Sequence, residues 1–320
     1  MSEIDERREH VLAALVVAGA AGVSGEALAG ELGCSRAAVH RHVEALRREG
    51  TPIEGGHEGY RLAEGADPVV PRLVSPRLVP PLAGPVTWSA ETGSTNDDVA
   101  ALARAGAAEG TVVGADRQVR GRGRRGRPWT TEPGDALTQS VLLRPAVAPV
   151  EAGLLPIVVA VGVAEALHDE ARIIWPNDVV IRDRKVAGIL CESAADQERV
   201  AWAVAGIGIN VRSAPRLHDA RWQPGSLADV GPPPARADLL VALLESLGRR
   251  YAQWVDGGAA EVLDAYAARD ALAGSQVEVA LSGESVTGTV LGLDELGRLR
   301  VRAAVGERVF AAGEVTRVLR

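Results

Sequence analysis

Arg117-Gln118-Val119-Arg120-Gly121-Arg122-Gly123-Arg124-Arg125-Gly126-Arg127, with Pro128-Trp129 behind it, is the stretch on which the reading of this chain turns. It holds six arginines, three glycines and no acid, in a protein of formal net charge -7. A packed core does not accept such a segment, because each guanidinium must stay hydrated or meet an anion. The glycines leave the backbone loose and let its N–H groups approach a ligand closely. The pattern suits a loop that closes on a polyanion, either a nucleotide's phosphates or a nucleic-acid backbone. A solvated linker or RNA-binding tail is the plainer alternative. Trp129 leans toward a nucleotide, since an aromatic beside a phosphate clamp can stack on a base.

Working outward, Thr111–Ala115 reads as a strand that delivers Gln118 to the loop, and Ala136–Leu143 as a strand that leaves it. Upstream, Val86-Thr87-Trp88 begins a strand, and Ser94-Thr95-Asn96 precedes an alanine-rich helix. Asp98, three residues beyond Thr95, gives a capping-box spacing; the alternative is that these small polar groups bind a ligand's polar head. Downstream, Val150–His168 is apolar nearly all round and predicts a buried helix. Ile173-Ile174-Trp175 predicts a strand entering the turn Pro176-Asn177-Asp178, and residues 179–181 and 185–192 a hairpin. Lys185, at the head of the apolar run Val186–Leu190, is either a snorkelling edge residue or a charge aimed into a pocket. Val200–Asn210 is the next strand, with Gly206 and Gly208 allowing another group to come close. Ala235–Trp254 predicts a long amphipathic helix. From Gln276 the pattern becomes short alternating strands with glycines between, which predicts a small antiparallel barrel of about five strands.

Before residue 64 the chain has a different character. Residues 3–17 predict a helix, Ser24 caps a second, and Gly33-Cys34 turns into a third capped by Ser35. Two short helices about a tight glycine turn carry the helix-turn-helix signature, with Ser35, Arg36, His40 and Arg41 placed outward to suit phosphates and base edges; a plain three-helix packing unit is the alternative. Residues 51–62 add a strand, a glycine hairpin and a strand, which is a wing. Six prolines in residues 64–85 mark a semi-extended linker. The organisation expected is α+β: a winged helix-turn-helix over 1–63, the linker over 64–85, a mixed-sheet domain with helices over 86–270, and an SH3-like small β-barrel over 271–320.

The mildly acidic balance excludes a protein that coats nucleic acid over its whole surface, so any such contact is local. Two distant cysteines, Cys34 and Cys191, give neither a disulfide pattern nor zinc spacing. The first residues are acidic with no signal peptide after them, and no apolar run is long enough to span a bilayer, so a cytoplasmic protein is expected.

Ser94-Thr95-Asn96, Gln118, Gly121–Trp129, Trp175-Pro176-Asn177-Asp178, Lys185–Leu190 and Gly206-Ile207-Gly208-Ile209-Asn210 occur in that order. Together they resemble the biotin protein ligases, in the bifunctional form that is also the biotin operon repressor. The resemblance covers nearly the whole chain and implies the reaction: biotin and ATP form biotinyl-5′-adenylate, and a lysine of a biotin carboxyl carrier domain takes the acyl group. It implies that Lys185 contacts both the carboxylate and the α-phosphate, and that Arg122 and Arg124 close over the adenylate. Arg120, Arg125 and Arg127 then help neutralise the triphosphate, and Mg²⁺ accompanies the phosphates. Ser94, Thr95 and Gln118 are implied to hold biotin's ureido ring, Gly188, Leu190 and Gly206 to bound its apolar part, and Asn96, Gly121 and Gly123 to belong to the biotin site with Arg122, Arg124 and Lys185. Trp129, Asn177 and Asn210 are assigned to the adenylate side. Asp178 orients the acceptor lysine, binds the metal or is a plain turn residue. The resemblance further implies operator DNA binding by an adenylate-bound homodimer; from the residues themselves no membrane contact is expected, and no His/Cys/Asp grouping has the spacing of a metal site. Three rivals stand beside this reading: a lipoate or octanoate ligase on the same core, a ligand-sensing transcription factor without catalysis, and an RNA-binding Arg-Gly protein.

Overall fold

The computed structural model describes residues 3–56, 58–216, 222–281 and 284–319; His57 of the expected wing lies outside them. The N-terminal unit is built from α1 (Glu3–Ala18), α2 (Gly25–Glu31), α3 (Arg36–Arg48), β1 (Ile53–Gly56) and β2 (Gly59–Leu62). Ser24 and Ser35 cap α2 and α3, their hydroxyls accepting from the backbone N–H of Ala27 and Ala38. The helices bury Val11, Leu15, Leu28, Val39, Val43 and Leu46 with Ile53 and Tyr60, a small core of their own. β1 and β2 pair antiparallel, and the Arg47 guanidinium ties them to α3 by donating to the carbonyls of Ile53 and Gly55.

Residues 64–85 depart from the extended linker expected there. Pro71–Val74 forms a turn of helix, α4, and Val69, Val70, Val74 and Leu82 are buried. Proline density forbids long elements, but Pro71 stands in the first helical turn, where its missing N–H costs nothing. The segment joins the main core because Val69, Val74 and Leu82 find cover there, with Leu78 packed against them.

The central sheet has seven strands in the order β3-β4-β5-β9-β8-β7-β6: β3 (Val86–Thr92), β4 (Val112–Gln118), β5 (Ala136–Leu143), β6 (Arg172–Ile174), β7 (Asp178–Ile181), β8 (Arg184–Ala195) and β9 (Val200–Asn210). β3 and β4 run parallel across helix α5 (Thr95–Arg104), and the remaining ladders are antiparallel. Three helices cover one face: α6 (Leu155–Leu167), α7 (Arg236–Val255) and α8 (Ala259–Ala267). The apolar run 150–168 does not begin helical, because α6 starts at Leu155 with Pro156 in its first turn and a 3₁₀ turn precedes it.

Alternation along the strands sorts the two faces. Leu137, Val141 and Leu143 of β5 and Ala205, Ile207 and Ile209 of β9 enter the core beneath the helices. Their neighbours Thr138, Ser140, Gly206, Gly208 and Asn210 therefore line the opposite face. The C-terminal unit is an antiparallel sheet in the order β13-β12-β11-β10-β14, made of β10 (Gln276–Leu281), β11 (Glu284–Leu293), β12 (Leu299–Ala303), β13 (Gly306–Phe310) and β14 (Glu314–Leu319). The expected antiparallel strand set is present, and among the described residues no ladder joins β13 to β14. The indole N–H of Trp175 donates to the carbonyl of Gly297 at 3.1 Å and fastens this sheet to the centre. Among the described residues no helix is long and apolar enough to cross a membrane.

Candidate active site

The polar face of the sheet has a bare floor. Gly206 and Gly208 on β9 and Gly188 on β8 are adjacent in the ladder, Gly188 opposite Gly208 and Leu190 opposite Gly206. A Cβ at Gly206 would stand 2.0 Å from Asn96 Oδ1, and one at Gly208 2.4 Å from the indole of Trp129. At Gly188 it would lie 3.0 Å from the same indole and 3.4 Å from Lys185 Nζ. Glycine is required here by close approach, since a polar side chain and an aromatic ring rest directly on the backbone.

At one end of the floor is a hydrogen-bonded set. Ser94 and Thr95 do not form the expected capping box: Ser94 makes no side-chain cap, and Asp98 instead accepts from the Thr92 hydroxyl. The Thr95 hydroxyl and backbone N–H are free of cap duty because both donate to Gln118 Oε1, at 3.1 and 2.8 Å. Ser140, from the middle of β5, donates to Thr95 Oγ1 or Asn96 Oδ1, at 2.7 and 2.6 Å. Asn96 Nδ2 donates to the Leu190 carbonyl and to Glu192. Ser94, Thr95 and Asn96 are all buried.

At the other end is a single cation. Lys185 does not snorkel away; its ammonium is 2.7 Å from Asp178 Oδ1, whose side chain is 8% exposed. Asn177 donates to the Ile189 carbonyl and accepts from Arg124 at 3.3 Å. Asn210 donates to the Gly225 carbonyl, while its Oδ1 is buried with no hydrogen-bond partner among the described residues.

Above the floor lies the arginine loop, and its charges are met by acids from three other elements. Arg122 makes a two-pronged contact with Asp97 at 2.6 and 2.8 Å and reaches Glu192 at 3.2 Å. The hydrogen bond from Arg122 holds the Asp97 carboxyl below its usual range and raises the guanidinium's own pKa. Arg125 and Arg127 both meet Glu314 of β14. Arg124 donates to the Gly313 carbonyl, and burial lowers its pKa, opposed by the nearby Asp178. Within the loop the Trp129 N–H returns to the Gly121 carbonyl at 2.9 Å, and a Cβ at Gly121 would be 2.5 Å from the Trp129 carbonyl. Trp129, expected to stack on adenine, rests on Gly188 and Gly208 with its indole N–H buried and without a partner among the described residues.

The structure thus brings Thr95, Asn96, Gln118, Gly188, Gly206, Trp129, Asn177, Asp178, Lys185 and Asn210 around one face, with Arg122 and Arg124 at its rim. Asp97, Ser140, Glu192 and Glu314 were missed by sequence reasoning. Ser140 had a signal, since Thr138-Gln139-Ser140 puts three polar residues in succession in a strand that is otherwise apolar. The acids had none, because pairing to the loop is decided by tertiary placement. The Cys191 thiol is pushed up to about 12, by burial first and Glu192 second, which makes it a poor nucleophile.

In the N-terminal unit Arg36, His40 and Arg41 are on the exposed side of α3, and Ser35 spends its hydroxyl on the cap. His40 Nδ1 is 3.3 Å from the Tyr60 hydroxyl of the wing. The neighbouring His42 is held below its ordinary pKa by burial and then by Arg8, Arg7 and Arg41.

Three family profiles match the chain: the HTH domain over residues 7–61, the biotin/lipoate A/B protein ligase family over 89–210 and the biotin protein ligase C-terminal domain over 273–317. The bifunctional ligase/repressor BirA of Bacillus subtilis is 30% identical over 91% of this chain and 92% of its own length. The biotin--[acetyl-CoA-carboxylase] ligase of Mycobacterium tuberculosis is 36% identical over 71% of this chain and 86% of its own. Among solved structures, a biotin protein ligase from Aquifex aeolicus in complex with biotin and ATP superposes with a TM-score of 0.63 at 26% identity, covering 73% of this chain and 99% of that one.

Proposed function

Because the chain belongs to the biotin protein ligase family, in its bifunctional ligase/repressor form, we infer that the polar face of the central sheet is where biotin is activated. The protein is a biotin protein ligase with an N-terminal HTH repressor domain, and biotin and ATP are its substrates. The observation that carries the reading is the polarity of the floor, with the hydrogen-bonding Thr95, Asn96, Gln118 and Ser140 at one end and the half-buried Lys185 ammonium at the other.

Biotin has the same polarity. Its ureido ring offers two N–H donors and a carbonyl, which suit the Thr95, Asn96, Gln118 and Ser140 set. Its carboxylate is drawn toward Lys185 beyond Gly188. A carboxylate oxygen then attacks the α-phosphorus of ATP, and pyrophosphate leaves with the electron pair of the broken P–O bond. One anion approaches another, so Lys185, Arg122 and Arg124 stabilise charge that accumulates in the transition state. To meet the phosphates, Arg122 exchanges Asp97 and Glu192 for the ligand, and Arg125 and Arg127 exchange Glu314. Mg²⁺ would accompany the phosphates and offset their charge, and Asp178, the carboxylate beside Lys185, would be the residue to hold it. No group of three His, Cys, Asp or Glu among the described residues is arranged to hold an ion alone.

In the second step the amine of a carrier-domain lysine attacks the acyl carbon, forming the amide and expelling AMP. Asp178 is proposed to accept hydrogen bonding from that amine. A loop ordered over the mixed anhydride keeps water from it until the carrier arrives. The winged helix is proposed to read operator DNA through Arg36, His40 and Arg41, as a homodimer when the adenylate is bound. Incubation with biotin, ATP and a carrier domain, read by intact mass, tests the ligase reading. One biotinyl addition per carrier is expected, and transfer of lipoate in preference to biotin would overturn it. Removing residues 1–63 is expected to abolish selection of duplexes from a random DNA pool while leaving most of the ligation.

A further inference from the structure

We infer that Thr138 is a specificity-determining residue for biotin, its hydroxyl donating a hydrogen bond to the ring sulfur; this rests on the ligase reading above. Thr138 is 3% exposed, and its Oγ1 is buried without a partner among the described residues. A buried hydroxyl with no partner is costly, and it is kept where something else satisfies it. Thr138 stands directly across the ladder from Gly208, so its side chain is on the floor side of the sheet. Gly208 offers nothing polar to meet it. What lies on Gly208 is the Trp129 indole, with Nε1 only 2.7 Å from where a Cβ would stand.

Position along the floor identifies the ligand atom. Ser140, two residues from Thr138 on β5, belongs to the Thr95–Gln118 set that fits the ureido end. Two residues of strand span roughly 7 Å, comparable with the breadth of a fused bicycle and one hydrogen bond. Toward Lys185 the next groups are Gly208 and Gly188. Between its urea and its carboxylate biotin carries one heteroatom, the thioether sulfur, on the side of the fused ring away from the ureido carbonyl. A thioether accepts weakly, and a hydroxyl is a suitable donor for it. Thr138 Oγ1 is shut off from water, which makes that weak bond worth more than it would be in water.

The test compares biotin with desthiobiotin, which lacks the sulfur, as substrates for pyrophosphate release by the full chain. Thr138→Val is expected to raise KM for biotin roughly threefold to tenfold and to leave KM for desthiobiotin unchanged. Thr138→Ser, which keeps the hydroxyl, is expected to preserve the wild-type ratio. Should Thr138→Val not fold, Thr138→Ala carries the same comparison, since the ratio between substrates is read. Equal shifts for both substrates, or none for either, would overturn the assignment. No pyrophosphate from the wild-type protein with biotin would instead defeat the ligase reading.

Discussion

The glycine floor and the arginine loop face each other across the same site, and they are shaped by different forces. On β8 and β9 the surface is set by the backbone: Gly206 and Gly208 let Asn96 and Trp129 lie against the sheet at distances no Cβ would permit, and Gly188 leaves room for Lys185 beside them. Nothing there can move by much, because the reverse face of the same strands is packed beneath the helices. The loop is set by charge. Arg122 is held by the exposed Asp97 and the partly exposed Glu192, and such pairs are individually weak and exchangeable, whereas Arg125 and Arg127, themselves exposed, share the buried Glu314. The contrast suggests a division of labour: the floor selects biotin by shape, and the loop responds to phosphate by trading one anion for another.

Substitutions on the two sides should fail differently. The largest effect is expected where they meet, at Lys185→Ala. Losing a charge-assisted contact made in the transition state costs roughly 2–4 kcal/mol, so adenylate formation should fall about a hundredfold or more while the thermal midpoint stays near wild type. Gly208→Ala comes next. Its methyl group would stand 2.4 Å from the Trp129 ring, and a ring cannot yield cheaply. A rise in KM for biotin, with little change in its salt dependence, is expected from overpacking worth about 1–3 kcal/mol.

Loop substitutions should be milder and salt-sensitive. Glu314→Gln removes the acid that Arg125 and Arg127 share, and is expected to shift KM for ATP about twofold and to flatten its dependence on ionic strength. The smallest effect belongs to Asp97. Its carboxyl is depressed by Arg122, so the contribution of the pair is present above the usual carboxylate range and is lost as pH falls through the lower folded value. Asp97→Asn at neutral pH should therefore mimic acidification, and trypsin should cut the arginine loop a few times faster. A Gly208→Ala protein with wild-type biotin KM, or an Asp97→Asn protein with a collapsed one, would erase the distinction between the two regions.

The same distinction explains what could be read from the residues alone. Strands β4, β5, β8 and β9 were legible because their apolar runs are bounded by Gly, Pro and Asp, and α3 because Ser35 and Gly50 frame it. Lys185 was legible only together with its neighbours, since one lysine before an apolar run has two meanings. The packing of residues 64–85 was hidden by proline, which predicts no long element but says nothing about burial. Glu314, nearly 190 residues from its arginine partners, leaves no local pattern, and its role depends on where the C-terminal sheet docks.

The most direct test of the account is biotin-dependent exchange of labelled pyrophosphate into ATP, in the absence of any carrier domain. Exchange by the wild-type protein that vanishes with Lys185→Ala is the predicted result. Exchange that persists in that variant, or that proceeds without biotin, would contradict the claim that the floor and the loop together activate its carboxylate.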